Sequence, residues 1–268
     1  MATWITHLMI ADRVLEKMPK LDRHSFCVGN IAPDCNVENE DWTQFIPSRE
    51  ITHWMSADTK TAMDSDRFYA ECIQKRKHEI KCEKEMAFLL GYYAHLIVDA
   101  EFQRYMRDDG RVKSTWDRIK ENPDLSQRAE GLPETWESVK QLIDKNERMK
   151  DIHTIEAEYL EEHPKSGYLT EIINLTTFPD YIDYFPKGAI PRKITAMKYL
   201  PSKKLGAYPF VAMTREEYSV FLVNASEMIV QKIMSHNWWD MLPPSEREGD
   251  RDSGGRSLRD LGFRLTLL

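Results

Sequence analysis

A histidine and an aspartate interrupt the most apolar stretch of this chain. Residues 83–107 have the length and composition of one long helix, and His95 and Asp99 lie near its apolar middle. Residues four apart in a helix project from the same face on consecutive turns. An imidazole and a carboxylate are costly to bury unless a partner satisfies them, and a divalent metal ion would satisfy both. Gly91, one turn earlier, leaves room for an ion or for a close backbone.

Three further positions favour a metal site over the alternatives for such a pair. A His–Asp pair on a helix also occurs as a buried histidine held by its own aspartate, or as an exposed polar pair. Here, however, His7 lies early in an amphipathic first helix, Asp34 ends a turn-like segment after an apolar run, and His53 lies in the short segment ITHW. Five nitrogen and oxygen ligands from four segments can therefore converge. Histidine with carboxylate is the ligand set of catalytic zinc.

The hydrophobic periodicity predicts an all-α fold, a multi-helix bundle around a long central helix. Strand-like alternation is nearly absent. The apolar run 26–31 fits a helix or a strand, and residues 34–47 predict a loop. Helical spacing of apolar residues predicts helices over 3–18, 66–80, 83–107, 111–121, 133–162 and from a capping box at Thr214 to about 239.

We expect residues 1–242 to form a single all-helical, hydrolase-like domain. Within it, residues 167–210 mix proline, glycine and aromatic residues, which predicts an irregular insertion. Connections of this length often act as lids or binding loops, although a packed structural excursion fits equally. Residues 243–268 are first charged and then apolar, and we predict a polar, flexible C-terminal tail.

Composition and charge restrict the class of protein. The chain carries a formal charge of −7 without a basic tract, so we expect no stable nucleic-acid binding. The sequence has no run of 18 apolar residues, which predicts no transmembrane helix. A patterned helix stands where a secretory signal would, which predicts a cytoplasmic protein. Four cysteines without CxxC spacing predict reduced thiols rather than a disulfide framework or a zinc knuckle.

Four short motifs together resemble the zinc-dependent phospholipase C family, whose superfamily also contains the single-strand-specific zinc nucleases. They cover roughly residues 3–105, and the helix after Thr214 is similar to the closing helix of that family. Each motif is short, and the specificity lies in their order and intervals. The motifs are THLMIA from Thr6, GNIAPD ending at Asp34, the pair Thr52-His53, and LGYYAHLIVD from Leu90 to Asp99.

The resemblance implies an all-helical hydrolase with clustered zinc ions that cleaves phosphate esters. His53, His95 and Asp99 match ligands of one zinc ion. His7 matches a ligand of a second zinc ion, and Asp99 would bridge the two. Asp34 matches the acidic residue near the first zinc ion, as a ligand or as the base for the attacking water. The chain lacks the additional His and HxxxE pair of three-zinc relatives, so we expect one or two ions.

These observations lead to one main functional hypothesis and two alternatives. The main hypothesis is a metal-dependent phosphodiesterase or phosphomonoesterase that acts on a small phosphorylated substrate or a lipid headgroup. The first alternative is a catalytically inactive metal-binding helical module. The second is an iron or manganese enzyme, because ligand softness does not separate these metals when all ligands are nitrogen or oxygen. The oligomeric state is not predicted. We interpret His236 as a helix-end histidine favoured by the helix dipole.

Overall fold

The computed structural model describes residues 2–39, 41, 43–55 and 63–238. These residues are mainly helical, which confirms the all-α prediction. The only regular strands among them are the antiparallel pair β1 (Val37–Glu38) and β2 (Phe45–Ile46). The α-helices are α1 (Trp4–Lys17), α2 (Arg23–Gly29), α3 (Arg49–Thr52), α4 (Ser65–Phe68), α5 (Glu83–Met106), α6 (Asp109–Glu121), α7 (Pro123–Arg128), α8 (Trp136–Leu142), α9 (Lys145–Glu162), α10 (Ala189–Met197) and α11 (Arg215–Ser235).

Helix α5 is the centre of the fold, as the sequence predicts. Every residue from Glu85 to Asp99 is buried, so this helix has no solvent-facing side over four turns. A helix that is apolar all round must be surrounded by others. Helices α1, α2 and α11 all pack against α5. The His95 and Asp99 side chains therefore lie inside the protein, at 0% and 1% exposure.

Two glycines allow α2 and α5 to pack with their backbones in contact. A Cβ atom on Gly91 would lie 2.2 Å from the carbonyl oxygen of Phe26, and one on Gly29 would lie 2.1 Å from that of Phe88. No side chain fits at either position. Of the two roles the sequence allowed for Gly91, the structure shows the close backbone. This packing brings Asn30, at the C-terminal end of α2, next to α5.

The first and last described helices are neighbours. Thr3 is the N-cap of α1, and its side chain accepts the N–H of Thr6 at 3.1 Å. The Thr6 hydroxyl lies 2.7 Å from the hydroxyl of Tyr218 on α11, and it donates to the buried carboxylate of Glu156 on α9 at 3.0 Å. Polar contacts as well as apolar packing thus fix α1 in the core. Helix α11 begins with the predicted capping box at Thr214.

The predicted single helix over 133–162 is wrong. The chain forms α8 and α9 instead, separated at residues 143–144. The carboxylate of Asp144 accepts the backbone N–H groups of Asn146 and Glu147 at 2.7 and 3.1 Å, which is the geometry of a helix N-cap. The apolar spacing continues across this break, so periodicity alone did not reveal it.

Other segments differ from the prediction in detail. The run 26–31 belongs largely to α2, and the loop 34–47 contains the β1–β2 hairpin. The helix predicted over 66–80 begins as α4 and continues as a π-helical segment, Tyr69–Gln74. The insertion 167–210 is irregular apart from a π-helical segment, Tyr168–Ile172, and α10. All four cysteines are free, as predicted. The predicted tail 243–268 lies outside the described residues, and the domain division stays a prediction.

Candidate metal centre

The structure brings all five predicted ligands together. His7 comes from α1, Asp34 ends a 3₁₀ turn after α2, and His53 is the C-cap of α3. His95 and Asp99 come from the buried middle of α5. The ligands thus belong to four separate segments, which meet where α1 and α2 pack against α5.

One group of ligand atoms surrounds His53. Its Nε2 lies 3.2 Å from Asp34 Oδ1 and 3.4 Å from Nε2 of His95. Asp99 Oδ2 lies 3.7 Å from the same His53 atom and 4.0 Å from Nε2 of His95. The three residues predicted for the first zinc ion, together with Asp34, therefore present their ligand atoms to one small volume.

A second group surrounds His7. Its Nε2 lies 3.5 Å from Asp99 Oδ1, and its ring stacks on His95 with centroids 3.9 Å apart. The ligand atoms of His7, His95 and Asp99 lie within 4.8 Å of one another, as do those of Asp34, His53 and His95. Asp99 thus offers one oxygen to each group. This is the arrangement expected of a bridging carboxylate, although bridging itself stays a prediction.

Backbone and hydroxyl groups orient two of the imidazoles. His95 Nδ1 lies 2.8 Å from the carbonyl oxygen of Asn30. A carbonyl can only accept, so we assign the proton to Nδ1, which leaves the Nε2 lone pair facing the ligand cluster. His53 Nδ1 lies 2.9 Å from the hydroxyl of Thr52. Such contacts fix the ring orientation of metal-binding histidines.

The chemistry of His7 tests whether the cluster fits a metal ion. Its ring is fully buried, and neither nitrogen has a hydrogen-bond partner among the described residues. A buried polar group without a partner costs roughly 1–3 kcal/mol. Coordination through one ring nitrogen would remove that cost for the nitrogen that binds the metal ion. The all-nitrogen and oxygen donor set also suits zinc, so the residues fit the ion that the motifs imply.

The electrostatics of the cluster favour the protonation states that metal binding needs. Burial opposes ionisation of Asp34, but the hydrogen bond with His53 outweighs it, and the pKa of Asp34 falls to about 2. Burial likewise opposes ionisation of Asp99, yet the imidazoles of His7 and His95 hold its pKa below the usual range. Burial and the neighbouring His7 lower the pKa of His95 to about 3. Both carboxylates are therefore ionised and His95 is neutral at pH 7, as ligands must be.

Sequence reasoning missed three groups that touch the cluster. Arg49 Nη2 lies 3.2 Å from Asp99 Oδ2, and its Nη1 lies 3.6 Å from Asp34 Oδ1. The indole N–H of Trp4 donates to Asp34 Oδ2 at 3.1 Å, and the amide N–H of Ala2 donates to Asp99 Oδ1 at 3.1 Å. For two of these groups, Arg49 and Trp4, helical spacing from a predicted ligand could have indicated the contact. Arg49 precedes His53 by four residues, and Trp4 precedes His7 by three.

The exposure of these side chains locates the mouth of the site. Arg49 is 31% exposed and Asp34 is 15% exposed, whereas the side chain of Asp99, on α5, is 1% exposed. Solvent therefore reaches the cluster from the side of Arg49 and Asp34. His7 and His95 form the closed end.

The irregular insertion is linked through Tyr92 to the backbone beside His53. The hydroxyl of Tyr184 donates to that of Tyr92 at 2.8 Å, and Tyr92 donates to the carbonyl oxygen of Thr52. The indole nitrogen of Trp54 lies 3.5 Å from the Tyr184 hydroxyl. Residues 167–210 are thus linked to the segment that carries His53, while a role as a lid stays a prediction.

The comparison with protein families agrees with this cluster. The family described as zinc dependent phospholipase C matches residues 6–101, which confirms the resemblance inferred from the motifs. All five predicted ligands lie within the matched stretch. The chain matches no curated protein and no solved structure. Among the described residues, no helix is both long and apolar enough to cross a membrane.

Proposed function

We propose that this protein is a metal-dependent hydrolase that cleaves a phosphate ester, with zinc as its metal. The observation that carries the proposal is the fully buried His7, whose two nitrogens lack hydrogen-bond partners in the described part of the chain, inside a cluster of four other potential ligands. The match of residues 6–101 to a zinc-dependent phospholipase family supports the reaction class.

The five side chains divide into two proposed ligand sets. His53 and His95 with Asp34 or Asp99 hold one ion, and His7 with Asp99 holds a second. A bound zinc ion would supply a Lewis acid and make a water nucleophile available near neutral pH. The N–H···O contact from His95 to the Asn30 carbonyl keeps the ring in the tautomer that ligation needs.

Asp34 is the proposed residue for orienting the attacking water. It is the most exposed of the five, at 15%, so it faces the side from which water enters. Its pKa of about 2 makes it a weak proton acceptor at neutral pH. Its ionised carboxylate instead accepts a hydrogen bond from the water, while the Trp4 indole holds its second oxygen in place.

Arg49 is the proposed contact for the substrate. Its guanidinium lies at the mouth between Asp34 and Asp99 and keeps about a third of its surface exposed. Guanidinium groups bind phosphate oxygens in a bidentate manner. We infer a phosphomonoester or phosphodiester on a small molecule or a lipid headgroup as the substrate class.

Metal analysis of matched variants tests the site. Purified wild-type protein should contain one or two zinc ions per chain by elemental analysis, and His95→Ala and Asp99→Ala should lose them. His236→Ala is the control, because that ring packs on Tyr69 with centroids 3.7 Å apart. Equal metal content in all three variants would overturn the ligand assignment. A different metal in wild type would favour the iron or manganese alternative.

Hydrolysis of phosphate esters tests the reaction. Zinc-loaded wild type should hydrolyse members of a panel of aryl and lipid phosphomonoesters and phosphodiesters. Asp34→Asn should retain metal and lose activity by about a hundredfold, because the attacking water is no longer oriented. A fully metal-loaded wild type that is inert across the panel would contradict the enzyme proposal and favour a metal-binding module.

A further inference from the structure

A cavity separate from the candidate metal centre lies at the C-terminal end of α5. Its volume is about 230 Å³, and its walls come from α5, α8, α9 and the residues just before α11. One wall residue, Phe102, follows Asp99 in α5 by almost one helical turn. Most of the wall is apolar and is formed by Phe102, Met106, Trp136, Met149, Ile152 and Ile155.

The polar part of this cavity is strongly cationic. Arg107, Lys140, Lys145 and Arg148 line it, against a single acid, Asp151. Both Asp151 oxygens are already used, because they accept the backbone N–H groups of residues 206 and 210 at 3.3 and 2.8 Å. The cavity thus concentrates positive charge in a chain whose net charge is −7.

Only part of that charge is neutralised by the protein. Arg107 and Lys140 both pair with the same carboxylate, Glu137. Arg148 and Lys145 have no carboxylate within 4 Å in the part of the chain that the structure describes. Two of the four cations therefore face the cavity without a counterion in contact.

Arg148 is the more informative of the two, because it is only partly exposed. Its guanidinium lies 5.6 Å from the centroid of the Trp136 ring and donates to the backbone carbonyls of Lys140 and Ile143. Burial lowers its pKa, and the more distant charges of Asp144 and Glu137 offset this only partly. A partly buried cation without a counterion is unfavourable, and an anionic ligand would relieve this.

We propose that this cavity binds an amphiphilic anion, namely an aliphatic carboxylate with a short apolar chain. The apolar wall takes the chain, and Arg148 with Lys145 takes the carboxylate. Drug-sized ligands occupy sites of about 300–1,000 Å³, so a cavity of about 230 Å³ accepts only a small molecule. The proposal does not depend on the metal centre or on its reaction.

Calorimetric titration of the full-length, zinc-loaded protein with octanoate tests this proposal. We expect saturable binding of one octanoate per chain, binding of octanol weaker by about tenfold, and no detectable binding of acetate. This pattern requires both the charge and the apolar chain. Octanol that binds as tightly as octanoate, or no octanoate binding by wild type, would overturn the proposal.

Four variants locate the ligand. Lys145→Gln and Arg148→Gln should each weaken octanoate binding by about tenfold, since each removes one charge-assisted hydrogen bond. Ile155→Phe should abolish binding by filling the cavity. Lys84→Gln, on the exposed first turn of α5 at its opposite end, should bind like wild type.

The folding of Arg148→Gln does not decide the outcome. Arg148 also supports the end of α8, so this variant is used only if its circular dichroism and melting temperature match wild type. Lys145 is exposed, and Lys145→Gln keeps the test decisive. Octanoate affinity unchanged in both Lys145→Gln and Ile155→Phe would place the ligand elsewhere and refute the proposal.

Discussion

Replacing Gly91 by alanine should weaken both the fold and the metal centre. The new methyl group would lie 2.2 Å from the carbonyl oxygen of Phe26, where ordinary contact begins near 3.4 Å. Backbone atoms cannot rotate away, so α2 and α5 must separate by about 1 Å. The same shift would carry the Asn30 carbonyl, now 2.8 Å from His95 Nδ1, out of hydrogen-bond range.

Two opposing contributions set the change in the free energy of unfolding. Overpacking a core typically costs about 1–3 kcal/mol. Alanine in a helix interior recovers roughly 0.5–1 kcal/mol relative to glycine. We therefore expect Gly91→Ala to lower the free energy of unfolding of the metal-free protein by about 1–2 kcal/mol. Loss of the contact that orients His95 should also weaken zinc binding by about 10–100-fold.

Urea unfolding in the presence of a chelator measures the first effect, and zinc competition against a chromophoric chelator measures the second. Gly110→Ala is the matched control. A Cβ there meets only Oδ1 of Asp108, the N-cap of α6, at 3.3 Å, so this side chain needs to shift by only about 0.1 Å and keeps its cap. The control should be as stable as wild type or slightly more so. If Gly91→Ala has the stability and zinc affinity of wild type, the backbone-contact argument is wrong.

Three further predictions concern charge and capping. Arg49→Met should destabilise the metal-free protein by about 1–3 kcal/mol, because the buried Asp99 loses its cationic partner. Urea unfolding measures this change, and saturating zinc should remove most of it. Glu156 is fully buried, and burial, only partly offset by its hydrogen bonds, raises its pKa to about 7 from 4.5. Between these two pH values the folded protein keeps a proton that the unfolded chain loses. The free energy of unfolding of the wild type should therefore fall by about 3 kcal/mol between pH 4.5 and 7, relative to that of Glu156→Gln. Parallel pH profiles of the two proteins would contradict this. Thr214→Ala should cost about 1 kcal/mol by removing the N-cap of α11, and an unchanged melting temperature would argue against the capping box.

The sequence predicts best those elements whose signals are both strong and local. Helix α5 is long and its middle is apolar, so its approximate bounds and the burial of His95 and Asp99 follow from the pattern alone. The start of α11 follows from the capping box at Thr214. The break between α8 and α9 does not follow, because Ile143 keeps the apolar spacing across it, and the only local signal is Asp144, a residue common in other settings.

The candidate site, too, has features that the sequence predicts and features that depend on tertiary packing. Residue type identified the five ligands, but it could not say that His95 is oriented by the Asn30 carbonyl, since every residue has a carbonyl group. The contact of Arg49 with Asp99 depends on how α3 lies against α5. The cationic cavity near Arg148 arises only when α5, α8 and α9 pack together. Tertiary placement, rather than residue identity, carries this information.

The pairing of α1 with α11 has a consequence for how the protein is made. The hydroxyl contact of Thr6 with Tyr218 joins the first helix to one that leaves the ribosome last among those described. All five candidate ligands are synthesised long before α11, so α1 at first has only α2 and α5 to pack against, and it gains its contact with α11 later. A fragment that ends at Met106 would carry the complete matched segment and every ligand. It would still lack α11, and with it the Tyr218 hydroxyl that contacts Thr6 on the His7 helix.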